Sequence, residues 1–198
     1  MTGYKTSRVL TVALSLIILA IAIAAVISFG RIFFFTSNMS NSDIEKSKDA
    51  LLSTSADRAI VMKVRGKIVA DEDFRSYQIN ISPTLRTMTT YKGYLGDTID
   101  YISLNNNIPA YEQFVYALYN ANILKIVELV GEEQNINGVC ANGRLYEFTL
   151  IKDERPVKTL WTTTCSNVQG SLDLKPSQIS DLFEKQIPNS DDYIKDLW

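Results

Sequence analysis

Residues 9 to 30 carry no charged side chain, and only Thr11, Ser15 and Ser28 interrupt a run made mostly of Leu, Ile, Val and Ala. At about 1.5 Å of rise per residue, about 20 such residues cross the ~30 Å hydrocarbon core of a bilayer as a helix. A soluble helix of a small domain keeps a polar stripe toward water, and this segment has none. It therefore reads as a transmembrane helix, with the lipid bilayer as its partner. A cleaved signal peptide is the alternative, because Lys5 and Arg8 supply a basic flank and Ala20-Ile21-Ala22 and Ala22-Ile23-Ala24 match small-x-small cleavage sites. Against cleavage, the apolar character continues through Val26, Ile27 and Phe29 and resumes after Arg31 in Ile32-Phe33-Phe34-Phe35. An uncleaved signal anchor is the favoured reading.

The basic flanks are nearly balanced, with Lys5 and Arg8 before the span and Arg31, Lys46 and Lys48 after it. Only the closest flank favours a cytoplasmic N-terminus. The two cysteines tip the balance toward a C-terminal domain outside the cytoplasm, where disulfides persist.

Composition narrows the chemistry. Lysine plus arginine number 20 against 22 for aspartate plus glutamate, a net charge of −2, so no global basic field invites nucleic acid. Histidine is absent, which removes Ser-His and Cys-His nucleophiles, His general bases and His metal ligands. With two cysteines, a four-thiolate zinc site is also excluded. No G-x-S-x-G or phosphate-binding loop occurs. The carboxylate clusters Asp71-Glu72-Asp73, Glu132-Glu133 and Asp153-Glu154 fall in expected turns and read as solvated. No catalytic, cofactor-binding or metal-ligating residue emerges, and no cofactor is expected.

Residues 36 to 57 read as a linker, with six serines among them. Ser42-Asp43-Ile44-Glu45 fits a capping box and suggests one or two helical turns through Leu52. From Ala59 onward short β-like runs appear: Ala59 to Val64, then Tyr77, Ile79 and Ile81 alternating with polar residues, Leu85 to Tyr94, and Thr98 to Leu104. Pro109 opens a helix with Tyr111, Phe114, Val115 and Leu118 on one face. Pro176 opens a second, with Ile179, Leu182, Phe183 and Ile187. Both are expected to cover the sheet.

Cys140 and Cys165 flank the runs Arg144 to Ile151 and Val157 to Thr164. An antiparallel hairpin centred between Lys152 and Asp153 opposes residues whose numbers sum to 305, which pairs the cysteines, Glu147 with Lys158, and Leu145 with Leu160. It also gathers Tyr146, Phe148, Leu150, Val157, Thr159 and Trp161 on one face. A Cys140–Cys165 disulfide is expected, with two buried free thiols as the alternative.

Cys140-x-x-Gly143-x-x-Tyr146, Leu160-Trp161-x-x-x-Cys165 and Leu182-Phe183-x-x-Gln186-Ile187-Pro188 resemble uncharacterised single-pass, signal-anchored envelope proteins of Saccharibacteria, bacteria that live attached to hosts. The resemblance covers most of the chain after Ala59, including Arg86, Gly93-Tyr94 and the helix from Tyr111 to Leu118. It implies an envelope location and a disulfide, and it transfers no catalytic residue. A type IV pilin fits less well, since the first glutamate, Glu45, lies far beyond the start of the span.

The expected architecture is an α+β domain: an antiparallel sheet with two covering helices and a disulfide-stapled hairpin, preceded by one transmembrane helix. Residues 1–8 form a cytoplasmic N-terminus, 9–30 the anchor, 31–58 a juxtamembrane segment and Ser-rich stalk, 59–188 the extracytoplasmic domain, and 189–198 an acidic-aromatic tail. The leading function is a non-enzymatic binding or assembly module of the cell envelope, facing an envelope or host-surface protein. An envelope hydrolase using loop carboxylates is one alternative. The other is an extracellular protease inhibitor presenting Lys152 to Pro156. Tyr91, Tyr94, Tyr101 and Trp198 are the candidate interaction surface.

Overall fold

Alternation of apolar and polar residues builds a one-sided sheet. The computed structural model describes residues 41–198, the side chains of residues 41–44, 132 and 133 excepted. The apolar run 9–30 lies outside the described residues, and among these no helix is long and apolar enough to cross a membrane. The elements are α1 (Asn41–Leu52), β1 (Arg58–Arg65), β2 (Arg75–Ile81), β3 (Leu85–Lys92), β4 (Asp97–Asn105), α2 (Ile108–Asn120), β5 (Leu145–Lys152), β6 (Arg155–Thr163), α3 (Pro176–Glu184) and α4 (Ser190–Ile194). The six strands form one antiparallel sheet in the order β4-β3-β2-β1-β5-β6. The α+β class and the antiparallel meander of β1 to β4 match the expectation.

One apolar row crosses all six strands, from Ile102 through Met88, Ile79, Met62 and Phe148 to Leu160. Helices cover this face. Tyr111, Phe114, Val115 and Leu118 of α2 are buried as their spacing predicted, and Ile179 and Phe183 of α3 join them. The Phe183 ring stands edge-on to Phe114 at 5.0 Å and tilted to Phe148 at 5.8 Å. Asn107 caps α2 by accepting from the Ala110 N–H at 2.9 Å. Arg86 clamps the end of α3 by donating from Nη1 to the Gln186 carbonyl (2.9 Å) and from Nη2 to the Asn105 carbonyl (3.0 Å).

Two expectations change. The latter part of the supposed stalk, where one or two turns were expected, is a three-turn helix: α1 buries Leu51 in the same core, so it packs with the domain beside the two expected covering helices. Separately, the tail docks on the domain, with Leu197 buried. The hairpin register also differs. The turn residues are Asp153 and Glu154, both at positive φ (49° and 62°), the signature of a two-residue hairpin turn. Opposed residues therefore sum to 307 at the tip, with Lys152 facing Arg155. A bulge at Val157 then moves the rest to 308, so that Leu150 faces Lys158 and Phe148 faces Leu160. The shift of three turns β6 over: Leu160 and Thr162 join Tyr146, Phe148 and Leu150 toward the helices, while Trp161 faces outward opposite Glu147. Glu147 ion-pairs with Arg65 of β1 at 2.9 Å instead of with Lys158.

The disulfide forms all the same, with Cα atoms 5.6 Å apart. It lies beyond the ladder, whose last pair is Leu145 with Thr163. Cys140 reaches Cys165 from a turn in which its own φ is +59°. A Cβ on Gly143 would come within 2.5 Å of both Cys140 Sγ and Thr164 Oγ1, so this close approach requires glycine.

Opening the disulfide in the full chain, by reduction or by replacing both cysteines with serine, should lower the unfolding free energy by about 3 kcal/mol, as expected for a closed loop of this length. Urea denaturation measures it. A loss below about 1 kcal/mol would show that the loop is held by other contacts.

Candidate functional site

The same alternation that buries Met62 and Val64 turns Lys63 and Arg65 to the opposite, helix-free face. The row through Lys63 runs Tyr101, Thr89, Gln78, Lys63, Glu147, Trp161, and the row through Arg65 runs Thr98, Tyr91, Ser76, Arg65, Leu145, Thr163. This outer face is mostly polar, with Leu145 and Trp161 its buried apolar members, and two loops flank an open cleft of about 650 Å³ on it. Lys63, Arg65, Ser76 and Gln78 lie along its floor strands, with Tyr91 at the side. One wall is the β3–β4 turn, residues 93 to 96, with Ile68 and Phe74 beside it. The other is the loop segment from Ile136 to Val139.

Both walls are pinned. Gly93 and Gly96 adopt φ of +73° and +80°, which gives the first turn its shape. Tyr94 stacks on Phe74 with ring centroids 4.0 Å apart. Its hydroxyl donates to the Val69 carbonyl (2.8 Å) and accepts from the Val69 N–H (3.2 Å), while its own N–H donates to Asp71 Oδ1 at 2.7 Å. The second wall ends at Cys140, so the disulfide anchors it, and the Ile68 N–H donates to the Ala141 carbonyl at 2.8 Å, joining one wall to the other.

Of the residues expected to form an interaction surface, the structure brings together two. Tyr91 and Tyr94 line the cleft, although Tyr94 is half committed to holding its wall. Tyr101 is 61% exposed on the same face, but on the edge strand outside the cleft. Trp198 lies elsewhere, 6.2 Å from the Tyr77 ring, which belongs to the helix-covered face. The Arg144 guanidinium sits 4.3 Å above its ring, and the chain leaves no room for a side chain at Gly66 beside it. Lys63, Arg65, Gln78, Leu95 and Asn137 were missed from the sequence. The strand alternation around Lys63 held that signal for the floor, whereas nothing local marks the walls.

Asp71 braces the Tyr94 wall from behind, whereas Asp153-Glu154 stands apart from the cleft. Asp71 to Asp73 form a short 3-10 turn and Asp153-Glu154 the hairpin tip, and no described carboxylate lines the cleft. The side chains of Glu132 and Glu133 lie outside the described residues. Among the described residues no cluster of three acidic, cysteine or histidine side chains could hold a metal ion.

A second polar pair lies under the helices. Tyr77 donates from its hydroxyl to Glu184 Oε1 at 2.7 Å. Burial, followed by the Glu184 charge, raises the Tyr77 hydroxyl far above its ordinary range, so it stays protonated. Burial also raises Glu184, against the lowering effect of the Tyr77 hydrogen bond. The pair joins α3 to β2 and lines none of the described openings, which gives it the geometry of a clasp. Elsewhere in the core, burial pushes the Tyr111 hydroxyl up to about 12, and this group has no hydrogen-bond partner among the described residues.

Compared with known proteins, the chain matches no protein-family model and no curated protein.

Because Glu184 binds its proton more tightly folded than unfolded, the folded state holds more protons just above the ordinary carboxylate value of 4.5. Its contribution to stability is therefore greatest below that value and is lost as pH rises through the raised one. Glu184→Gln keeps an oxygen acceptor for Tyr77 and removes the titration. Relative to this variant, the wild type should lose stability in urea melts as pH rises above 4.5; a flat difference would contradict the raised carboxyl.

Proposed function

We propose that this chain is a single-pass membrane protein anchored through residues 9–30, with residues 1–8 cytoplasmic and its domain outside the cytoplasm. There it acts as a non-enzymatic binding or assembly module of the cell envelope, with an envelope or host-surface protein as a candidate partner. The observation that carries the binding role is the braced cleft on the outer sheet face. Its floor presents Lys63, Arg65, Ser76 and Gln78 as hydrogen-bond donors, and its walls add Tyr94 and Leu95. A site with convergent polar groups, apolar walls and fixed sides is built to hold a ligand. The disulfide supports the extracytoplasmic location, because such bonds persist in oxidising compartments. The apolar run and the resemblance to signal-anchored envelope proteins support the anchor.

Two measurements on the full chain in bacterial membranes test the location. Alkaline carbonate should leave the chain in the membrane pellet, and deletion of residues 9–30 should release it. Protease added to intact spheroplasts should digest the domain without lysis. Carbonate release of the full chain, or protection of the domain until lysis, would overturn the proposal.

A further inference from the structure

We infer that the cleft takes a small amphiphilic anion, one carboxylate or phosphate on an apolar body, with the charged group seated at Lys63. The inference rests on the reading of the cleft as a binding site and names the class of ligand.

Charge is the first ground. The chain as a whole is slightly acidic, at −2, yet the charged residues lining the cleft are Lys63 and Arg65. These two cations are not equivalent. Arg65 is held by Glu147, Nε to Oε1 at 2.9 Å, so its charge is already compensated. Lys63 faces Glu147 in register across the strands but makes no ion pair among the described residues, and its side chain is exposed. Asp71 stands behind the wall, where its Oδ1 accepts from the Tyr94 N–H, and it does not line the cleft. The trio of Lys63, Arg65 and Glu147 thus leaves one net positive charge under the cleft.

Hydrogen-bonding capacity is the second ground. Gln78 sits opposite Lys63 and Ser76 opposite Arg65, so an amide and a hydroxyl donor flank the free ammonium. A carboxylate or phosphate offers more acceptor sites than the single oxygen of an alcohol or amide, and its charge strengthens each hydrogen bond.

The apolar walls are the third. Leu95, at the wall's tip, is 95% exposed, and Ile68 and the 51% exposed Tyr94 stand near it. In the absence of a ligand these side chains are spread before water, and a bound apolar body covers them. The volume of about 650 Å³ limits that body to a small molecule or the end of a longer one.

The test uses the full chain in zwitterionic phosphatidylcholine nanodiscs, labelled with 3-fluorotyrosine. Fluorine resonances of Tyr91 and Tyr94 report the cleft, and Tyr116 on α2 serves as the control. Four probes share a six-carbon chain: hexanoate, hexyl phosphate, hexanamide and hexylamine. Saturable shifts at Tyr91 and Tyr94 are expected for the anions, which should bind at least about tenfold more tightly than the amide or the amine. The comparison of hexanoate with hexyl phosphate assigns the head group. Lys63→Gln should abolish the preference and Lys63→Arg should keep it, with the Tyr116 resonance unmoved in both. Equal binding of hexanamide, or a preference that survives Lys63→Gln, overturns the anion inference while the cleft remains a binding site. Absence of saturable shifts with all four probes overturns the binding site as well.

Discussion

The described domain depends on burial in one direction only. The apolar row from Ile102 to Leu160 fixes which side of every strand meets the helices, and the period of two then fixes what the other side presents. Lys63 faces water because Met62 and Val64 do not. A slip of one residue in β1 would drive an ammonium and a guanidinium into a core of Met, Ile and Phe, at a cost no surface contact could offset. The polar floor of the cleft is thus a by-product of core packing, and selection on that surface can act without disturbing the fold.

The walls obey different physics. Neither residues 93 to 96 nor 136 to 139 belong to a helix or strand, and each holds its place through a few specific links. On one side these are an aromatic stack, a pair of hydrogen bonds at the Tyr94 hydroxyl and glycines at positive φ. On the other it is a covalent bond. Loops fixed in this way keep a shape without contributing much apolar burial, and the thiol redox state consequently bears on the cleft as well as on stability.

Local pattern carried the strands, the helices α2 and α3 and the disulfide, because each is written in short-range periodicity or in a unique residue pair. The hairpin register was only half legible. Three agreeing pairings pointed to a sum of 305, yet turn chemistry at Asp153-Glu154 and one bulge at Val157 outweighed them, and neither leaves a clear trace in alternation. The helix at Asn41–Leu52 was undervalued because serine and charge dominate its composition, while Leu51, its fully buried leucine, decides its position. In the site, Tyr91 and Tyr94 were legible as aromatics near a turn. The partnership between β1 and the loop before Cys140 was not, since it joins segments about 70 residues apart and no local signal spans that distance.

The two edges of the sheet are finished unequally. Along β6, Ser171 and Leu172 hydrogen-bond to Trp161, and Leu174 receives the Thr162 hydroxyl, so the chain itself closes that margin. Along β4 no described strand continues the ladder, and the first five residues are exposed. Asp97 and Asp100 lie in that stretch. Carboxylates on an open margin discourage a neighbouring copy from extending the ladder, because two such margins would bring like charges together as water is expelled. The domain therefore ends its sheet by covering on one flank and by repulsion on the other, and the second kind of ending weakens wherever salt screens the charge.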